Sequence, residues 1–166
     1  DAGSTTIQFA RFLSFSEKRV TVVTNSLEVA MTLGHGRSAR VVLAPGDLLP
    51  EEGAVIGPQT LEFLESRHVD HCFLGAAGLS EAGVTETVEG FDSVKRRMLR
   101  QSRSRHFLID AGKFGATHFS RVAGFEEFQT LFTDQAPEAS LGERMRSRGV
   151  QVRVCRLPDR AGAVSG

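Results

Sequence analysis

The sequence contains neither tryptophan nor tyrosine, and all twelve of its aromatic residues are phenylalanine. Stacking of nucleic-acid bases on tyrosine or tryptophan rings is therefore excluded. The chain also lacks net charge, because 20 basic side chains balance 20 acidic ones. A domain that binds nucleic acid by itself is usually basic. We therefore expect that any contact with DNA is made by a segment that this sequence does not include.

Cysteine is scarce, and Cys72 and Cys155 lie far apart in the sequence. Each follows or lies in an apolar run that predicts a strand, so we expect two buried thiols in a reducing compartment. Metal-binding spacings such as CxxC and HxxxH are absent. No apolar run approaches the roughly 18 residues that span a membrane, and no signal-peptide pattern is present. These absences predict a cytoplasmic protein that uses no metal, no cofactor and no membrane.

Length and patterning indicate one α/β domain. The 166 residues, 40% of them hydrophobic, fit a single core. Short β-branched runs predict strands, and helical stretches with capping residues separate them. The predicted strands are 20–24, 40–44, 71–75, 105–109, 130–133 and 151–155, and the predicted helices are 7–13, 26–33, a helix starting at 58, 91–101 and 137–148. This alternation predicts a mostly parallel, Rossmann-like sheet with helices on both faces.

The ends of the domain are predicted from the same pattern. Residues 1–157 are expected to form the domain, and residues 158–166, which contain glycine and serine without any period, a frayed tail. Residues 76–89 are predicted to be a loop. Asp1 leads directly into a glycine-containing turn, whereas a ligand-binding loop in such a fold normally follows a strand. We therefore expect a strand upstream of Asp1.

The first candidate site is the start of the first helix. Asp1 and Gly3 precede three consecutive hydroxyl side chains, Ser4, Thr5 and Thr6, and an apolar helix follows. Small residues allow an anion to approach the backbone, and a helix start supplies free N–H groups and a positive dipole end. These features suit a phosphate group. A plain helix cap accounts for the same residues equally well.

Other candidate residues lie directly after predicted strands, where parallel sheets bind ligands. Thr24 and Asn25 offer donors at a second strand-to-helix junction, although such residues also cap helices. Gly75 begins a loop of small residues that either keeps a crevice open or packs tightly. Asp110 can accept hydrogen bonds from sugar hydroxyls, and Lys113 can balance a phosphate. The alternative for these two residues is a surface ion pair.

A basic run begins at Lys95 in the helix predicted for residues 91–101. Helical spacing spreads these side chains around the helix, so a solvated face is the favoured interpretation over a nucleic-acid surface. Lys95 is the exception, because its position near the helix start can direct it toward the ligand crevice.

Seven short motifs, taken in order, resemble the sensor domain of the DeoR family of transcriptional repressors. They cover the chain as far as about residue 133. The motifs are DAGSTT at 1–6, TVVTNS at 21–26, APGDL at 44–48, GAVIGP at 53–58, FLGAAGL at 73–79, VKRRM at 94–98 and DAGKFG at 110–115.

The resemblance implies a fold like that of ribose-5-phosphate isomerase and the CoA-transferases, and a phosphorylated sugar or related metabolite as the bound effector. It also implies an upstream helix-turn-helix domain that binds DNA and a homodimer or higher homo-oligomer. By resemblance, residues 3–6 would hold the phosphate. The rest of the pocket would be lined by Asp1, Thr24, Asn25, Lys95 and Lys113.

One departure from the family pattern bears on catalysis. Ala77 stands where the family usually has an aspartate, so this loop cannot supply a carboxylate base. The sequence also has no G-x-S-x-G motif and no P-loop lysine. We therefore predict a non-catalytic sensor. The alternatives are a sugar-phosphate isomerase or CoA-transferase-like enzyme, with Asp110, Glu86 or Asp92 as its candidate carboxylate, and a pure oligomerisation module.

Overall fold

The computed structural model describes residues 1–36 and 38–155. The tail predicted for residues 158–166 lies outside the described residues. The helices are α1 Ser4–Ser14, α2 Leu27–Gly34, α3 Pro58–Glu65, α4 Phe91–Arg100 and α5 Ala139–Ser147. The strands are β1 Val20–Thr24, β2 Ala39–Leu43, β3 Asp47–Leu49, β4 Ala54–Ile56, β5 Val69–Leu74, β6 Gly78–Ser80, β7 Gly83–Glu86, β8 Ser102–Leu108, β9 Ser120–Ala123, β10 Thr130–Thr133 and β11 Gln151–Val154.

The predicted parallel α/β architecture is confirmed. Strands β5, β8, β10 and β11 form a parallel sheet in the order β11-β10-β8-β5, and β1 pairs in parallel with β2. Helices α3, α4 and α5 pack on the face of the larger sheet that carries Leu74 and Phe107. Because side chains alternate along a strand, Phe73 points to the opposite face, where the Phe9 ring of α1 lies 4.5 Å from it, centroid to centroid.

Local sequence explains where most helices begin and end. The Ser26 hydroxyl accepts a hydrogen bond from the Val29 N–H at 3.2 Å, which satisfies one free donor at the start of α2. Pro58 occupies the first turn of α3, where its missing N–H costs nothing. Gly149 follows α5 with a φ of 85°, a left-handed conformation that stops the helix at little cost.

The loop prediction for residues 76–89 and the predicted burial of Cys155 were wrong, and five short strands were not predicted. The predicted loop 76–89 contains β6 and β7, which form an antiparallel sheet with β9, a strand that the sequence pattern also missed. A second unpredicted hairpin joins β3 to β4. These strands have only three or four residues and form through pairing with distant segments, so they leave little periodic pattern. Cys155 is exposed rather than buried, because it follows β11, an edge strand whose own residues are mostly exposed.

Among the residues that the structure describes, no helix has the length and apolar character needed to cross a membrane.

Candidate binding site

A cavity of about 380 Å³ opens where the start of α1 meets the carboxyl end of β5. Its walls are residues 2–5, 75–77 and 86–88, with two residues from α4, Phe91 and Lys95, and one residue from each of two loops. The volume falls within the range of roughly 300–1,000 Å³ typical of small-molecule sites. The position also agrees with the rule that parallel α/β sheets bind ligands at the carboxyl ends of their strands.

The start of α1 contributes hydrogen-bond donors to this cavity. Gly3 precedes the helix with a φ of 140°, and no side chain caps the first turn. The first N–H groups of a helix have no partner within it, and Ser4 and Thr5 both line the cavity. Thr6 does not line it, because its hydroxyl donates to the Gly3 carbonyl at 2.9 Å and the residue is buried. The expected phosphate loop therefore contributes Gly3, Ser4 and Thr5 to the cavity wall.

A buried ion cluster forms another part of the wall: Lys95 and Glu86 line the cavity, whereas Asp1, which was also expected to line it, lies behind them. The Lys95 ammonium lies 2.5 Å from Glu86 Oε2 and 3.5 Å from Asp1 Oδ2, and it donates to the Gly75 carbonyl at 3.0 Å. The Asp1 carboxylate also accepts a hydrogen bond from the Gly75 N–H at 2.7 Å. Lys95 is only 2% exposed and Glu86 only 5%. The cluster joins the start of the chain to β5, β7 and α4 around the cavity.

The ionisation of this cluster follows from burial and mutual attraction. Burial alone would raise the pKa of Glu86, but the Lys95 ammonium and the N–H groups of Thr87 and Val88 outweigh it, so that pKa lies below its usual value. Burial lowers the pKa of Lys95, and attraction to Glu86 opposes only part of this effect.

Two residues in the loop after β8 were predicted to bind the ligand, and one of them lines the cavity. Lys113 lines the cavity and is partly exposed, and its ammonium lies 3.5 Å from Asp110 Oδ2. Asp110 does not line the cavity and is half exposed. The pair therefore has the geometry of the surface ion pair that was the alternative interpretation, although one partner faces the cavity.

Thr24 and Asn25 lie away from the cavity wall, contrary to expectation. The Thr24 hydroxyl accepts from the Ser26 N–H at 3.1 Å, and the Asn25 side-chain amide donates to the Val55 carbonyl at 3.1 Å. Both side chains are buried. Asn25 holds the β3–β4 hairpin against the start of α2, and Thr24 fixes the backbone just before that helix. Their role in these contacts is structural, and a part in ligand binding stays a prediction.

Two carboxylates at the cavity were not among the expected ligand contacts. Glu52 lines it from the turn after β3, and Glu86 lines it from the end of β7. Glu52 was missed because it belongs to an unpredicted hairpin, and Glu86 was predicted only as a candidate carboxylate of the enzyme alternative. Ala77 also lines the cavity, and its N–H donates to the Thr85 carbonyl at 3.1 Å, one residue before Glu86. The cavity therefore does contain a carboxylate near Ala77, supplied by the neighbouring strand.

Comparison with known proteins identifies the family. A family model described as the DeoR C-terminal sensor domain matches residues 1–135. The chain belongs to the DeoR family. It is 32% identical over 154 residues to the HTH-type transcriptional repressor GlcR of Bacillus subtilis, covering 93% of this chain and 59% of the relative. It is 28% identical over 156 residues to the glycerol-3-phosphate regulon repressor of Escherichia coli, covering 93% of this chain and 62% of the relative.

An archaeal relative is also similar. The HTH-type transcriptional regulator GlpR of Haloferax volcanii is 31% identical over 153 residues, which is 92% of this chain and 59% of the relative. The chain thus spans about three fifths of the length of these relatives. Membership of a sensor-domain family whose named relatives are repressors and regulators confirms the predicted DeoR sensor domain over the enzyme alternative.

Proposed function

We propose that this domain binds a phosphorylated sugar or related phosphomonoester in the cavity at the start of α1. In this proposal, the bound metabolite controls DNA binding by a helix-turn-helix segment of the full-length protein. The observation that carries the proposal is the convergence of the α1 start, Ser4, Thr5 and Lys113 on one cavity of ligand size. Free helix N–H groups and a cationic side chain favour an anion there.

The relatives support the same class of ligand. One of them is named as the repressor of a glycerol-3-phosphate regulon, and glycerol 3-phosphate is a small phosphomonoester. The cavity, at about 380 Å³, is large enough for a molecule of this kind or for a hexose phosphate.

A pair of matched variants tests the site. Thr5→Glu places a carboxylate at the second residue of α1, where it repels a phosphate but suits the helix dipole, so the fold is preserved. Ser140→Glu makes a comparable change at the second residue of α5, which is exposed and does not line this cavity. Each protein is melted with and without glycerol 3-phosphate, ribose 5-phosphate and glucose 6-phosphate.

We expect at least one of these ligands to raise the melting temperature of the unmodified domain and of Ser140→Glu. A ligand at 100 times its Kd stabilises by about 2.7 kcal/mol, which corresponds to several degrees. Thr5→Glu should lose this shift. If no sugar phosphate stabilises the unmodified domain, or if Thr5→Glu responds normally, the proposed site is wrong.

We also propose that the domain forms a homodimer or a higher homo-oligomer. The support is the pair Phe12 and Phe15, two large apolar side chains three residues apart at the end of α1 that are 74% and 87% exposed. Apolar surface of this kind marks interaction sites in soluble proteins. Light scattering coupled to size exclusion measures the mass directly, and a monomer at all concentrations would contradict the proposal.

A further inference from the structure

We propose that Glu86 determines effector specificity: it selects a phosphomonoester that carries an amino group or hydroxyl donors, and it rejects one with a second anionic group. This inference rests on the proposed function, since it concerns the part of the ligand that lies beyond the phosphate. It names a chemical class, in which aminated sugar phosphates bind best and phosphorylated sugar acids bind worst.

The N–H donors of the Lys95 ammonium are engaged by groups of the protein. An ammonium group has three N–H donors and no acceptor. The Lys95 ammonium makes hydrogen bonds to Glu86 Oε2 and the Gly75 carbonyl, and Asp1 Oδ2 lies within ion-pair distance at 3.5 Å. These donors are therefore used within the protein. Although Lys95 faces the cavity, it acts as a positioning residue for the carboxylates rather than as an anion receptor.

The Glu86 carboxylate still has acceptor capacity for a ligand. A carboxylate has about four lone-pair sites. Glu86 Oε1 accepts from the Thr87 N–H at 2.9 Å and lies 3.5 Å from the Thr87 hydroxyl, and the Val88 N–H also points to this carboxylate. Glu86 Oε2 accepts from Lys95, so it is the oxygen that keeps a lone pair for a ligand. Glu86 and Lys95 both line the cavity and are buried, whereas Ser4 is exposed and Lys113 is partly exposed. The buried wall therefore presents acceptors, and the phosphate donors lie nearer to solvent.

The buried ion cluster at the cavity wall has an excess of negative charge. Two carboxylates, Asp1 and Glu86, share one ammonium, Lys95, so the cluster carries a net charge of −1 when all three are ionised. Glu52 adds another carboxylate to the cavity. A second anion placed against this wall meets like charge in a poorly solvated environment, which is costly. An ammonium group there would instead make a charge-assisted hydrogen bond.

The test uses three ligands that share a six-carbon skeleton and a phosphate: glucosamine 6-phosphate, glucose 6-phosphate and 6-phosphogluconate. Their binding to the unmodified domain is measured by isothermal titration calorimetry, with inorganic phosphate as a fourth probe. We expect glucosamine 6-phosphate to bind roughly tenfold more tightly than glucose 6-phosphate, because charge-assisted hydrogen bonds are stronger than neutral ones. We expect 6-phosphogluconate to bind most weakly.

Glu86→Gln supplies the second measurement. It keeps the shape and the acceptor oxygen but removes the charge, so the preference for the amine should shrink and 6-phosphogluconate should gain affinity. Glu81→Gln is the matched control, since Glu81 is an exposed glutamate in the turn between β6 and β7 that does not line this cavity. Glu81→Gln should bind the ligands in the same order of affinity as the unmodified domain. The order of ligand affinities of the unmodified domain can be measured even if Glu86→Gln folds poorly.

The outcomes separate this inference from the proposed function. The role of Glu86 is overturned if 6-phosphogluconate binds as tightly as glucosamine 6-phosphate. It is also overturned if Glu86→Gln folds and leaves the order of ligand affinities unchanged. In both cases the proposed phosphosugar site still stands. If neither inorganic phosphate nor any sugar phosphate of either panel binds, the proposed function fails and this inference fails with it.

Discussion

Lys95 is a buried lysine whose neighbours account for its position. Burying a charged group without partners is very unfavourable, and it becomes tolerable when opposite charges and hydrogen bonds replace water. Lys95 has the Glu86 and Asp1 carboxylates and the Gly75 carbonyl as partners, and its ammonium lies 5.7 Å from the centroid of the Phe91 ring. One side chain thus connects four segments that form the cavity, so its removal should affect the whole site.

Replacing Lys95 with methionine should destabilise the domain strongly. The variant leaves two buried carboxylates without their cation, and breaking a buried pair in this way typically costs about 3–5 kcal/mol. Adding Glu86→Gln to it should recover part of the loss, because only one uncompensated carboxylate then remains. Urea unfolding measures both effects. Lys113→Met is the control, since its pair with Asp110 is partly exposed and should contribute less than about 1 kcal/mol. Equal midpoints for Lys95→Met and the unmodified domain would contradict the prediction.

Glu86 should also give the domain an acid-sensitive component of stability. Its pKa in the folded state lies below the ordinary value of 4.5, so the folded state favours the ionised form. This contribution is fully present above the unfolded pKa and is lost as the pH falls through the folded pKa. The difference in unfolding free energy between the unmodified domain and Glu86→Gln should therefore narrow between about pH 5 and about pH 3. A difference that stays constant over this range would show that Glu86 is not stabilised as an anion.

At the scale of the element, the start of α1 depends on Gly3. Its φ of 140° and ψ of 156° belong to a region that residues with a Cβ rarely adopt. A Cβ at this position would meet only Thr6 Oγ1, at 3.9 Å, so the cost of Gly3→Ala comes from the backbone rather than from a clash. We expect a loss of about 1–3 kcal/mol in urea unfolding. Gly34→Ala, in α2 and with open space around it, should be neutral or slightly stabilising. If both variants behave alike, the turn is less constrained than its geometry indicates.

The sequence predicted the elements that carry their own local pattern. β1, β2 and β10 are largely apolar or β-branched runs, and α2 and α3 begin at recognisable residues, Ser26 and Pro58. Only the apolar ends of β5 and β8 were predicted, because these two strands begin with polar residues. The hairpins were missed because their formation depends on distant partners. β7, for instance, pairs with β9 more than thirty residues later, and a bulge shifts the register between Val84 and Thr85.

The same distinction explains which site residues were predicted. Strand ends and a helix start are visible in the sequence, and these placed Gly3, Ser4, Thr5 and Lys113 at the cavity. Whether a polar side chain at a strand end faces the ligand or a neighbouring hairpin depends on packing that the sequence pattern does not contain. For this reason Thr24 and Asn25 were expected at the cavity, whereas Thr24 accepts from the Ser26 N–H and Asn25 supports the β3–β4 hairpin. Glu86 lines the cavity, although the sequence indicated it only as a candidate carboxylate of the enzyme alternative.

At the scale of the whole molecule, charge is balanced both overall and locally. The basic run in α4 is largely paired: Arg96 contacts Asp92, and Arg97 lies 2.6 Å from Glu65. Such pairs lower the positive potential that a DNA backbone requires. The predicted solvated face is consistent with these contacts. This domain is therefore poorly suited to bind DNA through its own surface.

We accordingly expect residues 1–166 alone to show no sequence-selective binding to the operator of the full-length protein. Selective binding requires side chains that read base edges in a groove, and phosphate contacts alone carry no sequence information. With a formal net charge of zero, even non-selective binding should be weak and should disappear near physiological salt. Fluorescence anisotropy with the operator and a scrambled duplex of equal length measures both properties, and the full-length protein serves as the positive control. A tight complex of this domain with the operator but not with the scrambled duplex would mean that the domain itself reads DNA, and the division between sensing and DNA binding proposed above would have to be abandoned.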